Sequence, residues 1–210
     1  MMNIRVPVFF LFLAVAVPLF AENSLSLKIG PLWPRKLLDT DKKTAWDAAV
    51  EYGILIDKKI AFGVGADFMW NRSTQDKDTT IDTSSSPGPD EQKTIQKDIK
   101  SFMFPLSAFI YIDPLSHLLF HPLIQFNIGY MPHIYSQRGK EIDNKSHYYH
   151  GLFLKLALDG VYSFSENIAI IAGAHYQWAN TRRRDRDDRD IIYYRNMSGF
   201  GLHAGFLFNF

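Results

Sequence analysis

The 210-residue sequence has no cysteine, almost no net charge and, beyond its N-terminal segment, no long uninterrupted apolar run. Each absence excludes something. Without cysteine there are no disulfides, no thiolate zinc sites, no thiol nucleophile and no lipoprotein-type lipid attachment. With 23 basic against 22 acidic side chains, a basic nucleic-acid binder is excluded. A mean hydropathy of -0.12 excludes a bundle of membrane-spanning helices. What is present is apolar and aromatic: 47% hydrophobic and 15% aromatic residues rule out a disordered chain, and the length fits one domain. The chain is thus rich in apolar residues yet polar on average.

Met1 to Ala21 reads as a cleavable secretory signal peptide. Arg5 precedes the apolar run Val6 to Phe20, and small Ala21 leads into Glu22-Asn23-Ser24. At about 15 residues the run is short for a spanning helix of about 20. Cleavage after Ala21 predicts a mature domain of residues 22–210. Removing Arg5 takes the basic count from 23 to 22, equal to the 22 acidic residues.

The mature sequence alternates with the period of a β-strand. Phe200, Leu202, Ala204, Phe206, Phe208 and Phe210 share one face, with Gly199, Gly201, His203, Gly205, Leu207 and Asn209 on the other. The same pattern runs through Trp46–Ile54, Ile60–Trp70, Leu152–Asp159 and Ile170–Trp178. Weaker strands are predicted over Leu25–Gly30, Phe102–Ile112 and Pro122–Tyr130, the second interrupted by Pro105, which removes one ladder hydrogen bond. Short connectors at Asp57–Lys59, Asp113–Ser116 and Ser165–Asn167 alternate with long polar ones at Leu32–Lys43, Asn71–Asp98, Met131–His147 and Ala179–Asp190. An all-β, eight-stranded, antiparallel up-and-down transmembrane barrel has this layout, with short turns at one end and long loops at the other.

A soluble barrel would carry the alternation inside out. Against it, the polar face is built mainly of Gly, Ala, Ser, Asn and Gln rather than Lys and Glu, and the apolar face has no charge in any strand centre. Trp33, Trp46, Trp70 and Trp178 fall at the long-loop ends of strands with Tyr130, Tyr149 and Tyr194, as an interfacial aromatic belt would place them. The apolar face is therefore read as facing lipid.

The terminal segment His203-Ala204-Gly205-Phe206-Leu207-Phe208-Asn209-Phe210 resembles the C-terminal assembly signal of outer-membrane barrels. The whole mature chain resembles small eight-stranded bacterial outer-membrane barrels of the OmpX and OmpW type. The resemblance implies integral residence in the outer membrane, with lipids and the barrel assembly machinery as partners. His203, Gly205, Phe208 and Phe210 would carry the signal.

The predicted lumen holds the ionisable residues Lys28, Asp47, Glu51, Asp67, Lys155, Asp159, His175 and His203, with Glu51 and Lys155 at similar depth on opposite strands. A space-filling salt-bridge network is the leading reading, since eight strands leave room for little more than side chains. Barrels of this size include lipid A modifying enzymes; the deacylase type needs a serine nucleophile and a histidine base at adjacent inward positions, a spacing of two on a strand, and no histidine here has serine two residues after it. His147 and His150 fall on opposite strand faces, so no metal and no cofactor is expected. The last loop carries Arg182, Arg183, Arg184 and Arg186 among aspartates: a self-paired zwitterionic hairpin, or a patch for anionic headgroups, glycans or an acidic host molecule. The expectation is a monomeric, non-enzymatic surface protein with an adhesion-type or structural role and an extracellular ligand. A narrow channel for small or hydrophobic solutes is the alternative, ahead of an outer-leaflet lipid-modifying enzyme.

Overall fold

The fold is that of a computed structural model describing residues 22–35, 44–57, 59–80, 92–139, 142–184 and 191–210. Residues 1–21, read from the sequence as a signal peptide, and Arg186 lie outside the described residues. Among the described residues ten β-strands follow one another: β1 (Asn23–Pro34), β2 (Ala45–Asp57), β3 (Ile60–Thr80), β4 (Gln92–Met103), β5 (Leu106–Ile112), β6 (Phe120–Gly139), β7 (Ile142–Ser163), β8 (Ile168–Arg184), β9 (Ile192–Asn196) and β10 (Gly199–Asn209). All pairings are antiparallel between neighbours, and β10 pairs with β1, Leu27 opposite Phe206, so the sheet closes.

Eight staves make the wall because two of them are each built from two strands. β4 and β5 both lie between β3 and β6, and β9 and β10 both flank β8. The first break is Phe104-Pro105. Proline cannot donate to the ladder, but Phe104 N donates to Pro132 O at 2.9 Å and Asp67 N to Pro105 O at 2.9 Å, so the stave stays tied on both sides. The second break is Met197-Ser198, where Met197 N donates to Ala179 O at 2.7 Å.

The polar connectors are more ordered than the turn composition predicts. β3 runs to Thr80, β6 to Gly139 and β7 starts at Ile142, so much of Asn71–Asp98 and Met131–His147 is strand rather than loop. A tilted strand needs about 9–11 residues to cross a bilayer. β7 has 22 and β6 has 20, and the surplus stands beyond the membrane as a paired extension. Polar sequence reads as loop, but continuous antiparallel pairing satisfies its backbone groups equally well.

Phe62, Val64, Leu106, Ile110, Ile128, Leu156, Leu158 and Phe206 are exposed on the outer face. Trp33, Trp46, Tyr130 and Trp178 ring its upper edge with half-exposed Trp70, and the Trp46 and Trp70 rings stack at 6.5 Å. One belt assignment is corrected: Tyr149 is buried inside the barrel, and its neighbour Tyr148 takes the outward place. Adjacent tyrosines look alike in composition, but strand alternation separates them. No helix among the described residues is long and apolar enough to cross a membrane.

Candidate functional site

The lumen is filled in layers. At the short-turn end Phe109, Tyr111, Leu123, Val161, Ile171 and Leu207 form an apolar floor. Above it, strand after strand contributes a small or polar inward residue to a charged middle layer. Lys28 Nζ lies 3.0 Å from Glu51 Oε2 and 3.3 Å from Asp159 Oδ2, and donates to Gln125 Oε1 at 2.7 Å. Glu51 accepts from Ser26 Oγ at 2.8 Å, Gln125 Nε2 at 2.6 Å and Asn127 Nδ2 at 3.3 Å. Lys155 Nζ donates to Asp67 Oδ1 at 2.8 Å and sits 3.9 Å from Glu51 Oε1.

The layer continues through two stacked histidines. His203 Nε2 is 2.7 Å from Asp159 Oδ1, and His203 Nδ1 is 3.1 Å from His175 Nδ1, so one of the two rings must carry its hydrogen on Nδ1. His175 Nε2 lies 3.7 Å from Asp47 Oδ2. Gly201 makes room for this ring, because a Cβ there would collide with the His175 imidazole. All eight ionisable residues singled out in the sequence thus stand in one layer. Gln125, Asn127, Ser26 and Ser107 join them; as uncharged polar residues they carry no sequence signal beyond inward parity.

Over this layer lies an apolar ring with one residue from each stave: Leu32, Ala45, Met69, Met103, Met131, Phe153, Ala179 and Met197. Every one has 0% exposure. The polar layer is therefore sealed from the long-loop end. A void of about 10 Å³, room for about one water, lies low in the lumen among Ser24, Lys28, Glu51, Phe109 and Ile171.

Beyond the ring, Ser101 Oγ is 2.8 Å from His133 Nε2, and His133 Nδ1 is 3.4 Å from Thr181 Oγ1. This serine–histidine contact forms across strands, where a same-strand spacing test cannot find it. The third partner is a threonine rather than a carboxylate, and all three residues are buried, so the contact lacks both the orienting acid and the access of a nucleophile. Among the described residues no group of three His, Asp or Glu could hold a metal ion.

The mouth is lined by rings and arginines. Tyr135 and Tyr149 are buried with Ile99. Arg195 lies over Tyr135 at 4.7 Å and Tyr149 at 5.5 Å, and Arg183 over Tyr193 at 4.6 Å and Tyr149 at 5.6 Å. Arg183 also bonds His147. The strand splits the arginine run predicted as one patch. Arg182 and Arg184 are exposed on the outer face, with Arg182 opposite Tyr194, while Arg183 turns inward. At the opposite end, outside the membrane, His121 Nε2 pairs with Asp113 Oδ2 at 2.9 Å. Burial pushes the Asp113 carboxyl up, with His121 opposing. At the C-terminus Phe210 is exposed, Phe208 partly so, and a Cβ on Gly205 would collide with Leu27 O where the sheet closes.

No protein-family profile and no curated protein sequence matches the chain. Solved structures do. Neisserial surface protein A (NspA) is 12% identical, with 90% of this chain and 96% of that one aligned at a TM-score of 0.53. A major outer-membrane protein from Thermus thermophilus aligns at 0.48 with 13% identity, over 90% of this chain and 99% of that one. Ail, the attachment invasion locus protein of Yersinia pestis, crystallised with the heparin analogue sucrose octasulfate, aligns at 0.46 with 14% identity and the same coverage. The closed antiparallel wall has the fold of the small eight-stranded outer-membrane β-barrels.

Proposed function

We propose that the mature chain resides in the bacterial outer membrane as a monomeric surface protein. It acts by contact through its extracellular end, in an adhesion-type or structural role, and not by transport or catalysis. The observation that carries this reading is the apolar ring. Eight fully buried side chains, one per stave, cross the lumen directly above the charged layer, so a polar solute would have to displace packed methionines and a phenylalanine. The extended strands and the rings and arginines at the mouth supply the contact surface. Signal-peptide removal near Ala21 and assembly through His203, Gly205, Phe208 and Phe210 belong to the same proposal.

The channel alternative draws on the polar middle layer, but that layer is internally paired and capped. Planar-bilayer recording of the purified protein separates the two. The contact reading expects no discrete conductance, together with unchanged barrel folding when residues 81–90 are deleted. Reproducible unit steps altered by Glu51→Gln would establish the channel instead.

A further inference from the structure

We infer that Arg183 and Arg195 form an oxyanion-binding site at the barrel mouth, one that takes a multivalent phosphate or sulfate ester from outside the cell. The site rests on the proposal that the extracellular end is the working surface.

Arg183 is opposite Tyr193 in the β8–β9 ladder and Arg195 is opposite Thr181, so the two arginines are diagonal neighbours on the inward face. Such neighbours lie about 7–8 Å apart at the backbone, within reach of one ligand for side chains this long. Both guanidinium groups lie over the ring of Tyr149, and each is held by a second tyrosine, Tyr193 for Arg183 and Tyr135 for Arg195. Arg183 spends one terminal nitrogen on His147; the N–H groups left at the guanidinium edges can donate in plane, the geometry that suits a tetrahedral oxyanion.

Neither arginine forms an ion pair with a carboxylate among the described residues, in contrast with Arg72, whose guanidinium pairs with Asp98 at 3.2 Å. The Nε of Arg183 is buried with no hydrogen-bond partner. Two neighbouring cations, held over aromatic faces, with a buried donor unmet and no carboxylate paired to them among the described residues, are arranged for an anion that arrives from elsewhere. Arg182 and Arg184 project outward on the same strand and do not share the site. The inward aim of the pair points to a soluble polyanion, or a glycan that enters the mouth, rather than to a headgroup in the surrounding bilayer.

The test is calorimetric titration of the mature protein in zwitterionic nanodiscs with inorganic pyrophosphate and with a fully sulfated disaccharide. Arg183→Gln and Arg195→Gln should each weaken binding at least tenfold, while Arg138→Gln, which removes the same charge at the same end, should change it less than twofold. Slower migration after boiling verifies that each variant folds. Absence of binding by the wild type, equal losses from all three variants, or losses confined to Arg182→Gln and Arg184→Gln would overturn the site. Any of these with a silent bilayer recording would leave the contact proposal standing without it.

Discussion

Replacing Lys28 by Met tests whether the middle layer is a desolvated network or a hydrated one. Lys28 is 7% exposed, Glu51 is 3% exposed, and Lys28 Nζ serves Glu51 at 3.0 Å, Asp159 at 3.3 Å and Gln125 at 2.7 Å. Methionine fills much of the same volume but leaves two buried carboxylates without their shared cation. Loss of one member of a buried pair costs about 3–5 kcal/mol, far above the ~0–1 kcal/mol of a surface pair. Glu51→Gln should cost a similar amount, because the new amide cannot accept at both positions now serving Ser26, Gln125 and Asn127. In the double variant neither charge remains to be stranded by the other, so its loss should fall short of the sum of the singles by about 1–3 kcal/mol. Urea titration in detergent micelles, read by tryptophan fluorescence and by the gel shift of unboiled samples, measures all three. Single losses under about 0.5 kcal/mol, or strict additivity, would mean that water screens the layer and would refute the packing described.

Met103→Ala with Met131→Ala should cost about 2–5 kcal/mol per site and open flickering conductance through the thinned ring, seen in planar bilayers. Gly201→Ala should destabilise by about 1–3 kcal/mol by driving a methyl into His175, and His175→Ala in the same chain should restore most of the loss, a rescue readable in the same urea titration. Ile128→Arg, in the outward apolar band, should cost about 2–4 kcal/mol near the midplane, whereas Arg138→Gln beyond the belt should be near neutral.

Period-two alternation carried most of the architecture, since burial on one face and lipid on the other force it on every stave. The charged layer was also legible, because parity alone puts Glu51, Asp67, Lys155 and His175 inside once one face is assigned to lipid. What was not legible has physical reasons. The apolar ring is assembled from residues scattered between Leu32 and Met197, and only stagger between staves brings them to one height. The Ser101–His133 contact is made across the β4–β6 pairing. The outermost segments of β3, β6 and β7, Ser73 to Thr80, Ser136 to Gly139 and Ile142 to Ser146, are almost wholly polar in sequence, so they lack the alternation by which strands are recognised. Arg182 to Arg184 reads as one cluster in sequence but as two faces in a strand, and Arg195, which shares the mouth with Arg183, stands in a different segment without a motif of its own.

The natural absence of cysteine gives the most direct test of the sealed lumen. Ala49→Cys and Ala157→Cys place single thiols in the interior at positions now 5% and 2% exposed, and Ser165→Cys places one in an exposed turn. With the folded protein in lipid vesicles permeabilised to give access to both ends, a polar maleimide should label the Ser165→Cys variant within minutes. The two interior thiols should stay unreacted until the barrel is boiled. Labelling of the interior thiols in the folded barrel at a rate comparable to the turn would contradict the closed lumen and restore the channel reading.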